Sequence, residues 1–262
     1  MFLLKKRYWL TIALLVTLFL VLRAIPASWV IYGVQQAAPG FQVSGVSGSL
    51  WNGQASYTQW VDRGHTFPLG ELQWGLQGLS LLALHPCINF STKTPDQSIK
   101  GQACYGVLGG AATLKNVDAS LPIANVSPYF NVDLEGNVDA YIKQAVWQKS
   151  QQLGDTDANL LWQRAALYNG NQWISLGDIQ AQANDDGNGG LVSQWNSVDS
   201  AQARPPVNLD LNTVVTQLAS NKPSLQVSGT IRPGLGADGL QPILQFIGEP
   251  LGDGSYRIEI NE

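Results

Sequence analysis

The chain has 262 residues, 45% apolar and 13% charged, with nine Trp and only two His. That composition excludes a disordered chain and is long enough to bury a substantial core in one or two domains. The net charge of −4 is uneven: residues 1–23 hold Lys5, Lys6, Arg7 and Arg23 and no acid, leaving 11 basic against 19 acidic residues in 24–262. An acidic body argues against nucleic acid as a partner, because phosphate binding needs clustered Lys and Arg, and against simple attraction to anionic headgroups.

Residues 1–7 form a basic N-terminus. Residues 8–22, YWLTIALLVTLFLVL, then carry no charge over 15 positions. As a helix this run spans about 22 Å, short of the ~30 Å hydrocarbon core. Apolar character resumes past Arg23 with Ala24, Ile25, Trp29, Val30, Ile31 and Tyr32. Trp9 and Trp29 would stand roughly 30 Å apart along one helix, the spacing of two interfacial belts, with Arg23 snorkelling outwards. Residues 8–34 therefore read as a transmembrane helix and membrane-proximal segment, and segment 26–38 either continues the anchor or forms a short helix beyond Pro26. Lys5, Lys6 and Arg7 are its topology signal, keeping the N-terminus in the cytoplasm and residues 35–262 outside it. The rival reading is a cleaved signal peptide, but a cut after Ala27 puts Ile25 at the −3 position, where a small residue is usual. No second run of ~18 apolar residues follows, which excludes a multi-span channel or transporter.

Next comes a compact motif, V-S-G-S-L-W-N-G-Q-A, at 46–55. Gly48 and Gly53 bracket Leu50 and Trp51. The glycines permit a close backbone approach, and Trp51 is expected to fill the space they leave. The motif is either a kinked first strand packed under its neighbour or an aromatic that docks a partner.

Period-2 alternation dominates the rest, beginning at Leu72, Trp74 and Leu76. Segment 78–85 is ambiguous. Cys87 and Cys104 lie 17 positions apart and suggest a disulfide in an oxidising compartment. A metal site of His85, Cys87 and Cys104 lacks a fourth ligand, and two unpaired buried thiols are the remaining alternative. Residues 132–142 alternate most clearly: Val132, Leu134, Gly136, Val138, Ala140 and Ile142 share one parity, with Asp133, Glu135 and Asp139 on the other. The dry parity is expected to be covered by protein, its small residues letting a second layer approach, so that the body carries no stoichiometric lipid. The parity slips at Ala145 and Trp147, as a bulge near Gln144 would cause. The polar stretch 148–159 reads as a joint between two halves of one sheet. Further alternating runs lie at 179–184, 207–212, 225–232 and 256–261, with turn signals at 169–171, 186–190 and 252–254. One helix is expected late, from Leu240, Ile243, Leu244 and Ile247, capped by Asp238. Strands without long intervening helices imply an antiparallel sheet.

The catalytic inventory is poor. Neither His65 nor His85 sits in HExxH, and no nucleophile elbow or phosphate-binding glycine loop occurs. Asp185 and Asp186 begin a turn without the calcium-loop spacing. Asp133, Glu135 and Asp139 read as a solvated strand face rather than paired catalytic carboxylates. No catalytic residue, cofactor or metal is therefore assigned, and the chain reads as a non-enzyme.

The chain resembles the bacterial type II secretion system protein N family (GspN). The resemblance rests on G-V-S-G-S-L-W-N-G-Q-A at 45–55, on G-E-L-Q-W at 70–74 running into L-S-L-L at 79–82, and on V-S-G-T-I-R-P at 227–233 followed by D-G-S-Y at 253–256. It implies a single inner-membrane helix followed by a twisted antiparallel β-sheet periplasmic domain, up to a half-barrel, over 35–262. It also implies a role in export of folded proteins from the periplasm across the outer membrane. The implied partners are other inner-membrane subunits and the bilayer, with no nucleic acid and no small-molecule substrate. Glycine–tryptophan patterns of the first kind also occur in AsmA-like and TamB-like envelope proteins, which makes lipid binding along a β groove the alternative.

Overall fold

A computed structural model of the chain describes residues 6–62, 64–129, 132–149, 152–199, 205–216 and 224–261. Among these residues one open antiparallel sheet of 14 strands makes up most of the molecule. The strands are β1 (Phe41–Gly48), β2 (Asn52–Asp62), β3 (His65–Leu76), β4 (Cys87–Lys93), β5 (Ser98–Gly106), β6 (Ala111–Pro122), β7 (Leu134–Trp147), β8 (Leu153–Tyr168), β9 (Trp173–Asp185), β10 (Leu191–Ser197), β11 (Val207–Thr216), β12 (Ser224–Pro233), β13 (Gly248–Pro250) and β14 (Tyr256–Asn261). Spatial order follows the chain through β12, and only then does β14 pair with β12 and leave β13 at the edge. The expected turns at 169–171, 186–190 and 252–254 each join consecutive strands.

A rung of directly paired residues crosses the sheet. It runs through Val46, Ala55, Leu72, Thr92, Ile99 and Ala119 in the first half, then Ala140, Leu160, Ala181, Trp195, Leu211, Gly229 and Ile258. Directly opposed residues share a face, so the rung marks one continuous dry face. Every member is apolar or small except Thr92. The other face carries polar partners such as the Lys100–Asp118 (3.1 Å) and Lys143–Asp157 (3.0 Å) ion pairs. The alternation predicted over 132–142 is realised in β7, and its register with β8 shifts on both sides of Gln144, after which the buried position is Ala145.

Segment 78–85, ambiguous in sequence, forms α3 (Gly78–Leu82). Other expectations are corrected. Segment 148–159 is no joint: β8, the longest of the described strands, already starts at Leu153. The cover expected over β7 is met only at Val138, which is buried. Leu134, Gly136, Ala140 and Ile142 stay half-exposed, with the short 3-10 turn Ile123–Asn125 beside them. The late helix, α4 (Gln241–Ile247), lies at the C-terminal end instead. Its cap is Leu240 without a side-chain hydrogen bond, because Asp238 opens a preceding 3-10 turn, Asp238–Leu240. Leu240 and Leu244 bury themselves there with Ile174, Val207 and Ile258 in the main core.

Of the two courses open to segment 26–38, the chain takes the short helix beyond Pro26. α1 (Lys6–Arg23) ends before Ile25, and α2 (Ala27–Ala37) begins after Pro26. Pro26 has no N–H to continue a helix and sits in extended backbone (φ −67°, ψ 146°), bridged to Ser49. The Leu50 N–H donates to the Ile25 carbonyl at 3.0 Å, tying the break to the β1–β2 turn. Trp9 and Trp29 thus belong to different helices. Among the described residues no helix is long and apolar enough to cross a membrane.

Candidate functional site

The break at Pro26 lays α2 across the dry face of the first strands. Ala27, Val30, Ile31 and Val34 fall at i, i+3, i+4 and i+7, one helical stripe. Ala27 and Ile31 are buried. Val30, Ile31 and Val34 form one wall of a groove of about 340 Å³, and Leu72, Trp74, Ile88, Phe90, Thr92 and Ile99 form its floor. Phe41, Leu50 and Leu69 complete the lining. The floor takes Leu72, Thr92 and Ile99 from the rung, with their neighbours on β3 and β4.

Two polar atoms buried behind this apolar lining have no hydrogen-bond partner: Trp74 Nε1 and Thr92 Oγ1. The two residues are diagonal neighbours, since Trp74 pairs with Phe90 and Leu72 with Thr92. Thr92 is only 6% exposed. A buried donor or hydroxyl left unpaired costs about 1–3 kcal/mol, so both are exceptions to the rule of satisfied interiors.

A second groove, also about 340 Å³, lies on the same face at the other end. Its lining includes Ile243, Leu244 and Ile247 of α4 and Trp162, Trp195, Leu209, Leu211 and Thr213 of the sheet. Here the polar atoms are paired. Trp162 Nε1 donates to the Glu135 carbonyl at 2.9 Å. Trp195 Nε1 donates to Ser193 Oγ at 3.0 Å, and Ser193 Oγ and Thr213 Oγ1 share a short hydrogen bond.

The motif at 48–53 is the β1–β2 turn. Ser49 N–H donates to the Asn52 carbonyl at 2.9 Å, and Gly48 has φ +90°, a conformation that favours glycine. Leu50 enters the N-terminal groove. The expectation for Trp51 is corrected: a Cβ on Gly53 would overlap the Trp74 indole, whereas Trp51 lies beside Gly78 at the start of α3. Trp74 fills the space because the β2–β3 register sets it opposite Gly53.

Cys87 and Cys104 are disulfide-bonded and directly paired on β4 and β5. His85 Nδ1 lies 3.5 Å from Cys87 Sγ, so the expected trio does gather. The two sulfurs are consumed by their own bond, which leaves no thiolate to ligate a metal. Of the topology signal, Lys6 and Arg7 begin α1 and Lys5 lies outside the described residues. Asp185 and Asp186 sit at the β9–β10 turn, where backbone N–H groups of Gly190 and Asn188 hold the Asp186 carboxyl below its usual range. Glu135 is exposed, and Asp139 accepts from Gln163 at 3.1 Å. At the C-terminal end Asp253 pairs with Arg232 and accepts from the Ser255 hydroxyl and N–H. The Ser255 bonds, with the Arg232 charge behind them, lower its pKa to about 2.

Sequence reasoning missed the groove. Its signals are the Leu72–Trp74–Leu76 alternation and the helical stripe of α2, but nothing in the sequence brings the two together.

The family model described as type II secretion system (T2SS), protein N, matches residues 39–259. No curated protein and no solved structure matches the chain.

Proposed function

The chain belongs to the type II secretion system protein N family, and from that premise we propose that it is an inner-membrane-anchored subunit supporting export of folded proteins across the outer membrane. The family match over 39–259 carries this reading, because it spans nearly the whole sheet. The subunit works by contact with other inner-membrane components rather than by catalysis. The basic residues opening α1, its exposed apolar side chains Trp9, Leu14, Leu20 and Val21, and Arg23 at its end support an anchor that reaches both interfaces by snorkelling and local thinning. The Cys87–Cys104 disulfide supports a body in the periplasm, where such bonds persist.

The test is deletion of the gene, followed by assay of a folded exoprotein in the medium and in the periplasm. Cargo should accumulate in the periplasm while transport across the inner membrane continues. Unchanged secretion, in a background where no paralogue substitutes, overturns the reading. A reporter active only in the cytoplasm, fused after Glu262, should stay silent, and its activity overturns the orientation.

A further inference from the structure

We infer that one rim of the sheet, at the β3–β4 and β5–β6 connections, inserts its leucines into the periplasmic leaflet of the inner membrane. The first half of the sheet is thereby seated on the bilayer that α1 enters. The inference rests on the anchor proposed above and adds a second, surface contact to it. Its first support is exposure. α3 presents Leu79 and Leu82, one turn apart and each 84% exposed, and the β5–β6 turn presents Leu108 at 86%. Leu84 and Val107 are exposed beside them, and the Leu84 carbonyl accepts from the Val107 N–H at 3.1 Å, which joins the two connections. Single exposed apolar residues are ordinary, whereas a group of neighbours marks a contact surface.

The second support is position. In this antiparallel order the β1–β2, β3–β4 and β5–β6 connections all lie at one end of the strands. α1 ends at that same rim, where the Leu50 N–H donates to the Ile25 carbonyl at 3.0 Å and Pro26 bridges to Ser49. The Leu76 N–H in turn donates to the Trp51 carbonyl at 2.8 Å, which sets the β1–β2 turn against the start of α3. Backbone bonds thus lead step by step from the end of α1 to the exposed leucines. The opposite rim lies the length of a strand away, roughly 40 Å for the 12 residues of β3. Its β4–β5 turn is polar, with Asp96 exposed.

The third support identifies the occupant. The body holds 19 acidic against 11 basic residues, yet 49–51, 77–86 and 107–110 contain no Asp or Glu. Arg23 ends α1 beside this rim. Lys149, in the next connection along it, lays its stem where a Cβ on Gly110 would meet it at 3.1 Å. An apolar rim free of carboxylates and flanked by cations suits hydrocarbon beneath anionic headgroups. A protein partner is the weaker match, because leucine and valine are under-represented among the anchors of protein interfaces, while leucine is among the side chains most at ease in a membrane.

The test uses the full-length chain in vesicles of phosphatidylethanolamine and phosphatidylglycerol, part of the former bearing a nitroxide on its acyl chain. Leu82→Cys, Leu108→Cys, Asp96→Cys and Leu14→Cys, all at exposed positions, are each labelled with an environment-sensitive fluorophore without reductant, so that Cys87 and Cys104 stay bonded. The labels at 82 and 108 should shift to the blue and lose emission to the nitroxide, and the label at 96 should do neither. Adding Leu79→Glu and Leu82→Glu to the chain labelled at 108 should abolish its quenching and leave that at 14 intact. Quenching at 14 but not at 82 and 108 overturns the inference and leaves the anchor standing. No quenching at 14 overturns the anchor, and the rim labels then decide the inference by themselves. Equal quenching at 96 and 82 also overturns it. So do labels at 82 and 108 that are shielded from aqueous iodide yet untouched by the nitroxide, the result expected if a second copy of the chain covers the rim.

Discussion

The two ends of the sheet set similar helices over the same dry face and reach different results. At the C-terminal end Leu240 and Leu244 go down into a buried cluster with Ile174, Val207 and Ile258, and the neighbouring Trp and Thr side chains are paired with one another or with backbone. At the N-terminal end α2 buries Ala27 and Ile31 but leaves Val34 exposed and two polar atoms orphaned. What the N-terminal end lacks in core it replaces with covalent and steric devices: the Cys87–Cys104 bond and the Trp74 indole laid on Gly53. Both ends keep a groove of about 340 Å³, and the difference lies in the buried cluster and the paired polar atoms that only the C-terminal end has.

The largest expected effect tests the closed end. Leu244 is 2% exposed, and Leu244→Ala should cost about 2–5 kcal/mol, the range for deleting a packed leucine in a core. Urea unfolding followed by circular dichroism measures it, and a loss under 1 kcal/mol would erase the distinction between the ends. Next, replacing Cys87 and Cys104 together by Ala should cost about 3 kcal/mol, as expected for a disulfide closing a loop of this length. Free-thiol labelling of unreduced wild-type protein should be blank. Third, Gly53→Ala should cost about 1–3 kcal/mol by overpacking and shift the tryptophan fluorescence, since the added methyl must displace the Trp74 indole.

A smaller but sharper effect compares the two threonines directly. Thr92→Val removes an unpaired hydroxyl at nearly constant shape and should raise stability by about 1 kcal/mol in lipid-free protein. Thr213→Val breaks the Ser193 pair and should lower it by a similar ~1 kcal/mol. Equal signs in thermal unfolding would break the comparison. The smallest effect is electrostatic. Asp253 has its carboxyl lowered to about 2 from an ordinary 3.8, so its stabilising bonds are fully present above pH 3.8 and are lost as pH falls towards 2. Asp253→Asn should flatten that acid limb of the stability curve, and an unchanged limb would assign it to other carboxylates.

The alternation that defines the dry face was legible because its period is local: Leu134 to Ile142, Val207 to Leu211 and Leu225 to Ile231 each report their own face. The bulge at Gln144 was legible for the same reason, as a slip in parity. Pairing was not, because register depends on which strand a turn delivers. The sequence alone pointed to Trp51 as the residue filling the glycine gap, while the β2–β3 register delivered Trp74. The short helix beyond Pro26 was legible as one of two courses for segment 26–38, but not the choice between them, because its apolar residues suit a membrane span and a groove wall equally. The orphaned state of Thr92 was invisible, since it is a fact about neighbours on three strands.

The order of the strands has a consequence for how the molecule comes apart. From β1 to β12 each strand pairs only with the strands before and after it in the chain, and the described sheet does not close. Up to β8 such an arrangement is nearly one-dimensional, its stability close to a sum of nearest-neighbour terms as in a repeat array, whereas the cluster around Leu244 ties β9, β11 and β14 together. Loss of one hairpin is then felt mainly by the next. The end roofed by α2 can fray or rearrange while the cluster around Leu244 holds, and hydrogen exchange should show two protection levels along one continuous sheet.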